Sequence, residues 1–80
     1  MKDADILGHI EELVAEEHRL LDAAGERTLE QDERSRLSAV NIELDRYYDL
    51  LRQRRAREES GQDPAKTELR SEKTVETYLQ

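Results

Sequence analysis

The chain has no cysteine, tryptophan or phenylalanine, one proline and only three glycines among its 80 residues. Without cysteine there are no disulfides and no thiolate zinc sites, so neither can staple a small core. The few glycines leave no Gly-rich phosphate loop, and the sequence contains no nucleophile elbow. No apolar run approaches the roughly 20 residues that span a bilayer. Met1-Lys2-Asp3-Ala4-Asp5 lacks the basic start and apolar stretch of a signal peptide. These absences lead us to expect a cytoplasmic, non-enzymatic protein without a cofactor or membrane contact.

What the chain does have is charge. Charged residues make up 41% and apolar residues 35%, with a net charge of −7. Such a chain either stays disordered or forms long helices with a narrow apolar stripe. The acidic balance argues against a general nucleic-acid binder, because phosphate attraction needs excess Lys and Arg.

Periodicity decides for helices. Ile6, Leu7, Ile10, Leu13, Val14, Leu20, Leu21 and Ala24 recur at three- and four-residue spacing, which predicts a helix over about 4–24. Asp3 is its expected N-cap and Gly25 its left-handed stop. Thr28-Leu29-Glu30-Gln31 has the form of a capping box and opens a second helix over about 29–59, ending near Gly61. Leu37, Val40, Leu44, Tyr47 and Leu51 give it a coiled-coil-like seam, and Glu30–Arg34 and Asp32–Arg36 sit at helical pairing distance. So short a connector makes the two helices antiparallel neighbours, with Ile10 opposite Leu44 and with Ile6 and Leu7 opposite Tyr47 and Tyr48.

Residues 62–80 form a tail. Asp63-Pro64 is a helix start, and Ser71 is placed to cap a last turn carrying Val75, Tyr78 and Leu79, although that β-branched stretch also suits an extended strand. Its apolar residues predict docking on the hairpin. The expected fold is therefore all-α: an antiparallel two-helix hairpin over 1–61 with a short helical or irregular tail. Each helix carries one stripe and has one neighbour to cover it. A homodimer completing a four-helix bundle is the expected remedy.

Some residues break the pattern. Glu17 falls near the centre of the first stripe, between Leu13, Val14, Leu20 and Leu21. We read it, with His18, as a buried polar position held by an Arg or Tyr or lying at a dimer seam. The sharper alternative is a metal site in the bundle at Glu17, His18 and Asp22. Neither histidine has the Glu-x-x-His spacing of di-metal bundles, since Ile6 and Ala15 precede His9 and His18 by three. We assign no metal.

The second oddity is a basic block. From Arg46 to Arg57 there are five arginines against one acid, Asp49, and Leu50 lies among them away from the seam. These arginines suit the helix C-terminus and the acidic first helix, and the tail can fold back over Leu50. As a surface, Arg46, Leu50, Arg54, Arg55 and Arg57 form the expected partner-binding set, for an acidic protein face or, less favoured, a nucleic-acid backbone. No aromatic residues interleave them, so base stacking is not expected.

Leu13-Val14-Ala15-Glu16-Glu17-His18, Leu44-Asp45, Asp49-Leu50-Leu51-Arg52-Gln53-Arg54-Arg55-Ala56, Gly61-Gln62-Asp63-Pro64 and Val75-Glu76-Thr77-Tyr78 together resemble a small actinobacterial family, domain of unknown function 2630. Where that pattern often has a Cys-Trp pair, this chain has Tyr47-Tyr48, and Ser71 stands where a proline often follows the arginine matched by Arg70. The resemblance implies a cytosolic bacterial protein. It brings no activity, cofactor or catalytic residue.

Overall fold

The computed structural model describes the backbone of residues 2–79 and the side chains of residues 2–76. Its elements are α1 (Asp3–Glu26), α2 (Gln31–Glu59), one 3₁₀ turn (Pro64–Lys66) and α3 (Glu72–Leu79). The expected hairpin is present, and the tail is helical at both ends.

Both ends of α1 differ from expectation. Lys2, in extended conformation, is the N-cap, and its amide donates to the Asp5 carboxylate at 3.3 Å. Asp3 is the first helical residue, where its charge favours the helix dipole, and its carboxylate reaches across to Arg54. Gly25 is helical rather than left-handed, and α1 ends at extended Arg27, φ −156°. No left-handed residue is needed there because the Arg27 guanidinium grips Glu33 with two 2.7 Å bonds and fixes the bend.

The capping box of α2 also sits two residues later than the sequence suggests. Glu30 is the N-cap, and the Glu33 carboxylate accepts from the Glu30 amide at 2.8 Å. The local pairs are replaced as well. Arg34 turns to the Leu29 carbonyl at 2.5 Å and to Gln31 at 2.7 Å. Arg36 bridges to Glu16 of α1 and reaches Glu43 at 3.5 Å.

At the other end α2 stops as expected. Gly61, at φ +73°, is the one described residue with a left-handed backbone. Its amide bonds Glu58 O at 3.1 Å and the Gln62 amide bonds Arg57 O at 2.7 Å, the pair of bonds that closes a helix with glycine just past its end. A side chain at Gly61 would strain this turn.

The core lies between α1 and α2. Ile6, Ile10 and Leu13 meet Val40, Leu44 and Leu50, flanked by Val14, Tyr47 and Leu51. His9 stacks on Tyr47 with ring centroids 5.1 Å apart, which fixes the antiparallel register near the expected one. The 3₁₀ turn and α3 pack on α2. The Cα body measures 50 × 26 × 15 Å.

Candidate functional site

The tail crosses the arginine block and is held there mainly through its own carbonyls. Asp63 accepts from the Ala65 amide at 2.9 Å and starts the 3₁₀ turn with Pro64 at its first position. From that turn the chain runs extended to Ser71, whose hydroxyl accepts from the Thr74 amide at 3.3 Å and caps α3 as the sequence predicts. Along this path Arg54 donates to Pro64 O at 3.2 Å, Gln53 to Glu68 O at 2.8 Å and Arg46 to Arg70 O at 3.0 Å. Arg57 contacts the Gln62 side-chain carbonyl at 3.4 Å. Arg46, Gln53 and Arg54 meet the carbonyls of Arg70, Glu68 and Pro64 in turn, so the tail runs antiparallel to α2.

Under the tail lies Asp49, only 2% exposed. It accepts from Gln53 at 3.0 Å and faces Arg70 at 3.6 Å and Arg52 at 4.0 Å. A buried carboxylate persists only with such partners. The sequence marked Asp49 as the sole acid among the arginines but gave no role to it. That it was the one acid in a basic stretch was the available signal.

The expected partner-binding set is thus largely occupied from within. Leu50 is buried in the core and Arg54 is buried between Asp3 and Pro64. Arg46 and Arg57 are half-buried and engaged with the tail. Arg55 remains exposed. Folding the tail back gives the guanidinium groups of Arg46, Arg54 and Arg57 acceptors within the chain, which a bare basic patch would lack. The docking expected of the tail is carried by Val75, which is fully buried. The side chains of Tyr78 and Leu79 lie outside the described residues.

The buried-polar expectation for Glu17 and His18 does not hold in the single chain. Glu17 is half-buried and His18 exposed. The tail packs on α2 rather than on α1, so this half of the α1 stripe has α2 alone for cover. Among the described residues no three or more His, Asp or Glu side chains are grouped to hold a metal ion, and Glu17, His18 and Asp22 form no such group. A shallow open groove on α1 is lined by Ala4, Asp5, Gly8, His9 and Glu12.

Electrostatics follow the same pairing. Arg27 and the Glu30 amide hold the Glu33 carboxyl down to about 2. Arg36, bonded to Glu16 at 2.5 and 2.7 Å, lowers the Glu16 carboxyl, and its own guanidinium is raised in return. Glu76 goes the other way. Its contact with Asp45 raises its pKa, helped by desolvation and by the charges of Asp45 and Glu72.

What remains uncovered is apolar. Leu7, Leu21 and Tyr48 are 50%, 49% and 42% exposed. Leu7, Val14 and Leu21 are seven residues apart and share a line along α1. His9 and Glu16 occupy the opposite flank, engaged with Tyr47 and Arg36. Tyr48 is turned about 100° from Tyr47, which brings it to the same open side as the Leu7 line.

No helix among the described residues is long and apolar enough to cross a membrane. The family profile described as protein of unknown function (DUF2630) matches residues 2–80. The uncharacterized proteins Mb0922c of Mycobacterium bovis and Rv0898c of Mycobacterium tuberculosis are each 42% identical over 77 residues, covering 95% of this chain and 88% of theirs. No solved structure matches. On the match along nearly its whole length, with the arginine block and tail that carried the resemblance, the chain belongs to the DUF2630 family.

Proposed function

We propose that this chain is a non-enzymatic helical interaction module whose working surface is the open side of the hairpin, and that a second copy docks there to complete a four-helix bundle. The observation that carries the reading is that Leu7 and Leu21, about half in water, lie on one flank of α1 with part-buried Val14 between them and exposed Tyr48 on the same side. Contiguous exposed apolar surface on a small protein marks an association site.

Charge favours a second copy in a particular arrangement. Over 3–26, α1 carries eight acids against Arg19, a net −7, whereas α2 over 31–59 carries seven acids and seven arginines. Packing α1 on α1 would bring like charges together. Crossing each α1 over the other copy's α2 relieves this, and it gives Glu17 a seam with arginines within reach rather than an apolar wall. The reading sets the module in the cytoplasm, in keeping with a cysteine-free sequence.

The test is a double variant, Leu7→Glu with Leu21→Glu, compared with wild type by sedimentation at matched concentration. The expected result is loss of self-association with helix content retained, since both side chains are half in water already. Unchanged association in the variant would reject this face.

A further inference from the structure

Where α3 meets α2, two carboxyl groups are placed against each other. The Glu76 Oε1 atom is buried without a hydrogen-bond partner among the described residues, and its carboxyl faces Asp45 of α2. One position earlier Val75 is fully buried and anchors the helix. Two ionised carboxylates cannot donate to each other and repel. One shared proton turns the same contact into an O–H···O bond.

We propose that α3 is a proton-dependent cover on α2, docked while the Glu76 carboxyl beside Asp45 holds a proton and released when Glu76 is ionised. The other charges at this end are Arg46 and Asp49 on α2, Arg70 before α3, and Glu72 and Lys73 on α3. Arg46 is committed to the Arg70 carbonyl, and the Arg70 guanidinium lies 3.6 Å from Asp49. Glu72 adds repulsion to Glu76.

The raised Glu76 pKa agrees in sign. The Asp45 contact comes first among its causes, then burial. A group raised above its ordinary 4.5 favours the docked state at low pH, and that advantage is lost as pH rises through the raised value. The bonds from Arg54 to Pro64 O and from Gln53 to Glu68 O involve no titrating acid. The strap therefore stays in place, and α3 alone lifts to uncover Val75 and the side of α2 beneath it. This release does not depend on self-association through the Leu7 line.

The experiment is amide hydrogen exchange on the full chain by NMR, for wild type, Glu76→Gln and Asp45→Asn, at about pH 5 and about pH 8, spanning the range where a raised carboxyl loses its proton. The Val75 amide, bonded to Ser71 O at 3.1 Å, reports α3, and Val40 in the core is the reference. Both variants replace one acid by an amide that donates to the remaining carboxylate. Comparison at equal pH removes the intrinsic rate. The expected result is equal Val75 protection at the lower pH and, at the higher, wild-type protection more than tenfold below either variant, with Val40 unchanged. Docking changes by up to about tenfold per pH unit for one proton. Equal Val75 protection in wild type and variants at both pH values would overturn the proposal, as would loss of Val75 protection in both variants at the lower pH. If one variant fails to fold, the other decides.

Discussion

Arg54 of α2 and Asp3 of α1, 51 positions apart in the chain, form an ion pair at the open end of the hairpin, and the same guanidinium donates to Pro64 O at 3.2 Å. One side chain therefore ties both helices and the tail together. Its two sides are unequally exposed, 11% for Arg54 and 54% for Asp3. Removing Asp3 takes away a mostly solvated partner and should cost about 1 kcal/mol or less. Arg54→Ala loses the packed stem and both bonds, for about 2–3 kcal/mol. Urea unfolding of the two variants checks the order, and a costlier Asp3→Ala would contradict it.

Core and open face should respond differently to the same truncation. Leu44 is buried in the seam, so Leu44→Ala should cost about 2–4 kcal/mol. A chain of 80 residues with a thin core commands only about 3–5 kcal/mol in all, so this variant should be largely unfolded by circular dichroism. Leu21→Ala, at a position half in water, should shift the stability of the single chain by about 0.5 kcal/mol or less. Dilute protein is needed for the comparison, because association would add its own share.

The bend between α1 and α2 should loosen in acid. Glu33 is held down to about 2 by Arg27 and the Glu30 amide. A depressed carboxyl stabilises the fold above its ordinary 4.5 and loses that contribution as pH falls toward about 2. Helix content and the amide protection of α2's first turn should fall across that window, and Glu33→Gln should flatten the response. The sign is opposite to that at Glu76, so the two sites respond to pH in opposite directions.

Asp49 separates pairing from burial. At 2% exposed it depends on Gln53, Arg70 and Arg52. Arg70→Ala leaves the buried carboxylate with weaker support and should destabilise by about 1–2 kcal/mol. Asp49→Leu removes the buried charge, and the freed arginines, 39% and 57% exposed, can hydrate, so its cost should be smaller. Thermal melts of the two variants compare them directly. A more damaging Asp49→Leu would show the carboxylate to be a net stabiliser.

How much of this was readable in the residues depends on the range of the interaction. The 3-4 spacing of Ile6, Ile10 and Leu13 against Val40 and Leu44 specified the hairpin and its register, because amphipathic burial is a periodic, local signal. The tail's start at Asp63-Pro64 and the Ser71 cap were likewise local. The caps at Lys2 and Glu30 were not, since the sequence offered Asp3 and Thr28 as better-looking candidates, and the ties of Asp3 to distant Arg54 and of Glu33 across the bend to Arg27 outweighed intrinsic cap preference. The engagement of the arginine block was out of reach of the sequence because it is long-range. Arg46, Leu50 and Arg54 look free on α2 taken alone, and only the returning tail shows them engaged.

Self-association is tested most directly by the mass of the wild-type protein in solution. Light scattering coupled to size exclusion at micromolar concentration should give twice the chain's 9.4 kDa, falling to one chain in the Leu7→Glu, Leu21→Glu variant. A helical, cooperatively melting species of one chain at that concentration would contradict the four-helix assembly.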